Sequence, residues 1–145
     1  MISSKLKSIL LVDDDESTHF LNKIFISKLD LDIDVGVASN GAEALDIIAN
    51  RGPFNGDDLF TLPCLLILDI RMPQMDGWQF LEAYEKEFDK SITDNITIVM
   101  VTISEDEQDL VKASNNPHIK EYIQKPLSDI KFQNLIDKYF SVVDA

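Results

Sequence analysis

Five times along the chain a short, mostly apolar run is followed by a segment whose apolar residues recur at helical spacing. No other feature constrains the fold as much. The runs occupy residues 9–12, 34–38, 64–68, 96–101 and 122–123, and most lack the polar alternation of a strand with one wet face. The helical segments carry Phe20, Leu21, Ile24, Phe25 and Leu29; Ala44, Leu45 and Ile48; Trp78, Leu81, Tyr84 and Phe88; a weaker, polar stretch over 105–115; and Phe132, Leu135, Ile136 and Tyr139. Asn40 and Ser128 stand where helix N-caps belong, Gly52 where the second helix is expected to stop, and Phe140 near the end of the last. Strands buried on both faces and joined by helices require a parallel sheet covered on either side. The expected fold class is α/β, a doubly wound (βα)5 parallel sheet.

The 145 residues suit one domain, with a core over about residues 8–140 and neither repeat nor interdomain linker, so the expectation is a chain without an output domain. The connection over residues 52–63, with two Gly and two Pro, is long for such a fold and reads as a surface insertion. With 26 acidic against 13 basic residues, the net charge of −13 makes nucleic acid or an anionic membrane a poor partner. The acids serve either solubility or a cation, and composition does not choose between them. Cys64 is alone, so no internal disulfide forms, and its place in an apolar run makes it a buried thiol of a reduced, cytoplasmic setting. Lys5 and Lys7 precede only four apolar residues, too few for a signal-peptide core. The longest apolar stretch, 96–103, is far short of the roughly 20 residues that span a bilayer.

Open parallel sheets bind their ligands beyond the carboxyl ends of the strands, so the residues following each run are the informative ones. After the first come Asp13, Asp14, Asp15 and Glu16; after the third, Asp69 and Arg71; after the fourth, Thr102 and Ser104; after the fifth, Lys125 and Pro126. Asp15 and Glu16 are accounted for by the positive N-terminus of the helix that begins near Ser17. Any one of the others is an ordinary turn or loop residue. Together they are not, because Asp13, Asp14 and Asp69 on one sheet edge repel each other unless a cation lies among them. Hard oxygen ligands with open positions suit Mg²⁺, with Mn²⁺ as an alternative, and a lysine opposite suits a phosphoryl group.

The combination Leu11-Val12-Asp13-Asp14, Leu68-Asp69 with Met72-Pro73 and Met75-Asp76-Gly77, Val101-Thr102, and Tyr122 with Lys125-Pro126 closely resembles the response-regulator receiver domain of two-component signalling. The resemblance runs from about Ser8 to Phe140 with every motif in order. It implies a flavodoxin-like sheet in the order 2-1-3-4-5. It implies Asp69 as phosphoacceptor; Asp14, Asp13 (directly or through water), Asp69 and the backbone carbonyl of Arg71 as metal ligands; Lys125 and Thr102 on the phosphoryl group; and Tyr122 as the residue whose burial changes with Thr102. The Lys125-Pro126 bond is a cis candidate by the same resemblance. The implied donor is a histidine kinase or a histidine phosphotransfer protein. The implied output is a protein contact on the face of the fourth helix, fifth strand and fifth helix.

Ile103 stands where receivers often carry a small residue, and Arg71 and Ser104 lie two residues beyond acceptor and switch hydroxyl. The lifetime of an aspartyl phosphate is expected to be tuned at these positions. The stretch 114–119 lacks the Gly-Ala common before the fifth strand. His19 and His118 are expected at exposed or capping positions, and Trp78, Phe80 and Tyr84 in packing. Two rival readings have distinct signatures. A haloacid-dehalogenase-like phosphatase would use Asp13 as nucleophile and Asp15 as acid, but leaves Asp69 with Met72-Pro73 unexplained. A pseudo-receiver would be a docking module alone, although every active-site residue is present. A flavodoxin is disfavoured because the loop after the first strand is acidic where phosphate is cradled.

Overall fold

β1 (Ser8–Val12) and β3 (Cys64–Asp69) are buried at every residue, as their continuous apolar sequences require. With β2 (Asp34–Ala38), β4 (Ile96–Thr102) and β5 (Ile119–Gln124) they form one parallel sheet in the order β2-β1-β3-β4-β5. The computed structural model describes residues 5–51, 60–103 and 106–140. The helices are α1 (Glu16–Ser27), α2 (Gly41–Ala49), α3 (Gly77–Glu87), the short α4 (Lys90–Thr93), α5 (Glu107–Asn115) and α6 (Asp129–Tyr139).

Strand alternation divides the interior in two. Leu10, Val12, Leu66, Leu68, Ile98 and Met100 pack with Leu45 and Ile48 of α2 and with Phe80, Leu81 and Tyr84 of α3. Ile9, Leu11, Leu65, Ile67, Val99 and Val101 pack with Ile26 of α1 and with Phe132, Leu135 and Ile136 of α6. Each such side chain taken from water contributes about 1.5–3 kcal/mol. Among the described residues, no helix is long and apolar enough to cross a membrane.

Several local expectations shift. Asn40 caps α2 by accepting from Glu43 N, and Ser128 caps α6 by accepting from Lys131 N, as the sequence indicates. α2, however, is stopped by Asn50 in the left-handed region (φ 56°) rather than by Gly52, which lies outside the described residues with 52–59 as a whole. Asn tolerates that conformation better than most side chains. On α1 the inward residues are His19, Asn22 and Ile26, whereas Phe20, Leu21 and Ile24 are exposed. The added α4, capped by Asp89, is one turn and has no apolar periodicity to announce it. The fourth and fifth helices of the sequence reading are therefore α5 and α6. β5 runs four residues longer than its apolar core of two because, as an edge strand, it is only half buried.

At Gly77 the site's scaffold leaves no room for a side chain. A Cβ there would lie 2.7 Å from the carbonyl oxygen of Asp69 and 3.1 Å from Ile70 Cα, both backbone atoms. Gly77 N also donates to Ile70 O at 2.8 Å, closing the start of α3 on the end of β3. Gly77→Ala is expected to lower stability by about 1–3 kcal/mol, as overpacking against backbone does. Denaturant unfolding checks this, and an unchanged midpoint would show that the β3 end yields freely.

Candidate functional site

Parallel register brings the C-terminal ends of β1, β3 and β4 level, with Val12 opposite Leu68 and Asp69 opposite Val101. Asp13 and Asp14 leave β1 there, Asp69 ends β3, Thr102 ends β4 opposite Gln124, and Lys125 follows β5. One carboxylate oxygen each from Asp13, Asp14 and Asp69 lies within 4.8 Å of the others. Asp13 and Asp69 are buried and Asp14 is exposed, so the cluster has a solvent side.

Lys125 reaches into this cluster, its Nζ 2.6 Å from Asp13 Oδ2 and 3.5 Å from Asp69 Oδ1. Burial opposes the ammonium charge, but the bond to Asp13 and the charges of both acids outweigh it and raise the lysine pKa. Burial and then the Asp13 charge push the Asp69 carboxyl up to about 6, against the pull of Lys125. One ammonium facing three carboxylates leaves a surplus of negative charge. Hard oxygen donors in this number and spacing fit a divalent cation.

The backbone around the acids is held closely. Asp69 Oδ1 accepts from Ile70 N at 3.0 Å, and Asp13 Oδ1 from Asp15 N at 3.0 Å. Asp15 caps α1 by accepting from Ser17 N, the role expected of it. Lys125 N donates to Thr102 O at 2.9 Å, and the Lys125-Pro126 bond is cis. The hydroxyl-bearing Thr102 is buried. Tyr122 lies opposite Met100, two register positions back on the same face of the sheet, and packs half-buried on the α3 side. Burial, then Asp109 and Asp106, hold its phenol above the usual range.

Two features escape sequence reasoning. Asp109 of α5 is buried and accepts from Arg71 Nη2 at 3.0 Å and from Trp78 Nε1 at 3.2 Å, so the loop after Asp69, α3 and α5 meet on one carboxylate. Arg71 and Asp109 lie 38 residues apart, and no local pattern links them. His19 is buried rather than exposed, its Nε2 2.7 Å from the backbone oxygen of Asp13. Phe80 and Tyr84 are core residues as expected, and His118 meets the Tyr84 ring edge-on. Ile103 is 81% exposed. Ser104 lies outside the described residues.

The raised Asp69 pKa has a measurable consequence in chelator. Its folded value lies above the ordinary carboxyl value, so the protonated acid favours folding at low pH and that contribution is lost as pH rises through about 6. Wild type is expected to lose about 1–2 kcal/mol relative to Asp69→Asn between pH 4 and pH 7, a figure reduced for solvent screening. Urea unfolding of both proteins at each pH tests this, and parallel pH curves would refute it.

Comparison with known proteins follows the same lines. A family model for the response regulator receiver domain matches residues 9–137. The chain is 27% identical over 134 residues to sporulation initiation phosphotransferase F of Bacillus subtilis (strain 168), covering 92% of this chain and 93% of that one. It is 30% identical over 132 residues to a 14.6 kDa protein of the sodA1 3′ region of Leptolyngbya boryana, covering 90% and 88%. Among solved structures, the bacteriophytochrome response regulator AtBRR superposes with a TM-score of 0.76 at 26% identity, covering 97% and 99% of the two chains. The chain spans about half, 54% and 51%, of two probable C4-dicarboxylate response regulators it also matches.

Proposed function

Because the chain belongs to the response regulator receiver family of two-component signalling, we propose that Asp69 is its phosphoacceptor, that the donor is a phosphohistidine, and that Mg²⁺ is the cation held beside it. Receivers are phospho-switches that take a phosphoryl group from histidine kinases or phosphotransfer proteins and hold a divalent metal at an aspartate cluster. The observation that carries the finer reading is the meeting of Asp13, Asp14 and Asp69 within 4.8 Å, with Lys125 bonded into the same cluster.

Asp69 attacks phosphorus through a carboxylate oxygen, forming an acyl phosphate as the P–N bond of the donor breaks and its electron pair stays on the imidazole nitrogen. Asp69 ends β3, and the exposed Asp14 marks the solvent side of the cluster, from which the donor approaches. Asp13, Asp14, Asp69 and the Arg71 carbonyl would hold the cation, which neutralises the charge of the acceptor and the phosphoryl oxygens when bound. Lys125 leaves Asp13 for a phosphoryl oxygen, a task suited to a compact charge on a flexible stem. Thr102 supplies its hydroxyl, and Tyr122, on the same sheet face, follows it. The downstream partner engages the face of α5, β5 and α6, where Leu110 and Val111 are exposed.

The test is the intact mass of the protein after incubation with acetyl phosphate or phosphoramidate, with and without Mg²⁺. One phosphoryl adduct that requires Mg²⁺ is expected. A label on Asp13 would favour the aspartate phosphatase, and a protein that no small donor or phosphohistidine protein labels would be a docking module.

A further inference from the structure

His19 has no part in the chemistry above, yet it is only 8% exposed and bonded to the acidic loop. Its partner, the backbone oxygen of Asp13, only accepts, so the tautomer assigned from this contact has Nε2 donating. Nδ1 is then an acceptor, buried without a partner among the described residues. Burying an unpaired polar atom costs about 1–3 kcal/mol. A leucine would fill the same space without that cost, so the bond to Asp13 is what the imidazole adds.

That bond completes a set. Asp13 N donates to Ala38 O at 3.0 Å, Oδ1 accepts from Asp15 N at 3.0 Å, and Oδ2 accepts from Lys125 Nζ at 2.6 Å. Those three hold Asp13 itself. The fourth, from His19, holds the carbonyl, and with it the rigid peptide plane that joins Asp13 to Asp14. The plane sets the direction in which Asp14 leaves the backbone. Asp14 depends on that direction, being exposed and having no side-chain hydrogen bond among the described residues.

We propose that His19 is a positioning residue of the acidic site: by clamping the 13–14 peptide plane it aims the Asp14 carboxylate into the cluster with Asp13 and Asp69. The inference rests on the reading of that cluster as a divalent-cation site, and outer-shell partners of metal ligands typically carry a 10–100-fold effect on affinity.

Calorimetric titration of the full chain with Mg²⁺ tests it, with unfolding in chelator recorded alongside. His19→Leu is expected to weaken Mg²⁺ binding about tenfold or more. His19→Gln, whose amide nitrogen has the reach of Nε2, is expected to bind like wild type, and His19→Asn, too short to reach, like His19→Leu. The Gln and Asn pair decides the matter even if His19→Leu fails to fold. In an Asp14→Asn background, His19→Leu is expected to cost no further affinity, since the ligand it aims is gone. Mg²⁺ affinity unchanged in His19→Leu and His19→Asn, or reduced equally in both backgrounds, overturns the positioning role alone. A wild-type protein that binds no Mg²⁺ overturns the cation reading itself.

Discussion

Asp69→Asn is expected to leave the protein without any Mg²⁺-dependent phosphoryl adduct while keeping its fold. The substitution is nearly isosteric and retains an oxygen for Ile70 N, which Asp69 Oδ1 now bonds at 3.0 Å. What it removes is the anionic oxygen proposed to attack phosphorus, and on this proposal no neighbour replaces it. Asp13 is bonded on both oxygens, to Asp15 N and Lys125 Nζ, and Asp14 is the exposed member of the cluster. Labelling is therefore expected to fall to background, with the unfolding midpoint in chelator at neutral pH equal to or above that of wild type, since a buried charge beside Asp13 is gone. Intact mass and urea unfolding read the two halves separately. Undiminished labelling in Asp69→Asn would move the nucleophile elsewhere, first to Asp13.

The second large effect is at Lys125. Its ammonium is the cation that the described structure provides for Asp13 and Asp69 together, at 2.6 and 3.5 Å. Lys125→Met keeps the stem and removes the charge. Taking one partner from a buried pair costs about 3–5 kcal/mol, and the open Asp14 side of this cluster brings the expected loss to about 2–4 kcal/mol in chelator. Mg²⁺ addresses the same carboxylates, so it is expected to restore more stability to Lys125→Met than it adds to wild type. Thermal unfolding across a Mg²⁺ titration measures that difference. Equal gains in the two proteins would mean that lysine and cation act on separate charges.

Much of this arrangement is legible in the residues because the site stands at strand ends and the strands are continuous apolar runs. Burial on both faces leaves β1, β3 and β4 little else to be, and parallel pairing then places Asp13, Asp69 and Thr102 on one edge. Legibility fails where a contact is set by packing of distant elements. His19 lies among residues that a hydrophobic count turns outward, yet α1 buries His19, Asn22 and Ile26 and exposes Phe20, Leu21 and Ile24. Hydrophobic periodicity is right for Phe25 and Leu29, which pack against the core, and wrong for Phe20, Leu21 and Ile24, because inward positions go to Asn22 and to His19, which serves a carbonyl. The Arg71–Asp109 pair is equally silent, since Asp109 sits in the most polar of the helices and nothing nearby marks it as buried. α4 and the ends of β5 are missed for a simpler reason, their short or half-exposed spans carrying too little apolar pattern.

The carboxylate of Asp109 holds Arg71, two residues past Asp69, and the indole N–H of Trp78, and Trp78 is the single tryptophan of the chain. Lys112 of the same helix lies over the indole ring at 5.3 Å. The protein thus has a built-in fluorophore whose hydrogen-bond acceptor and overlying ammonium both belong to α5. Any rearrangement that draws Arg71 toward a newly charged Asp69 changes the dipoles around one indole and no other. Its emission is expected to read, in the unlabelled molecule, the coupling between the loop after Asp69 and α5.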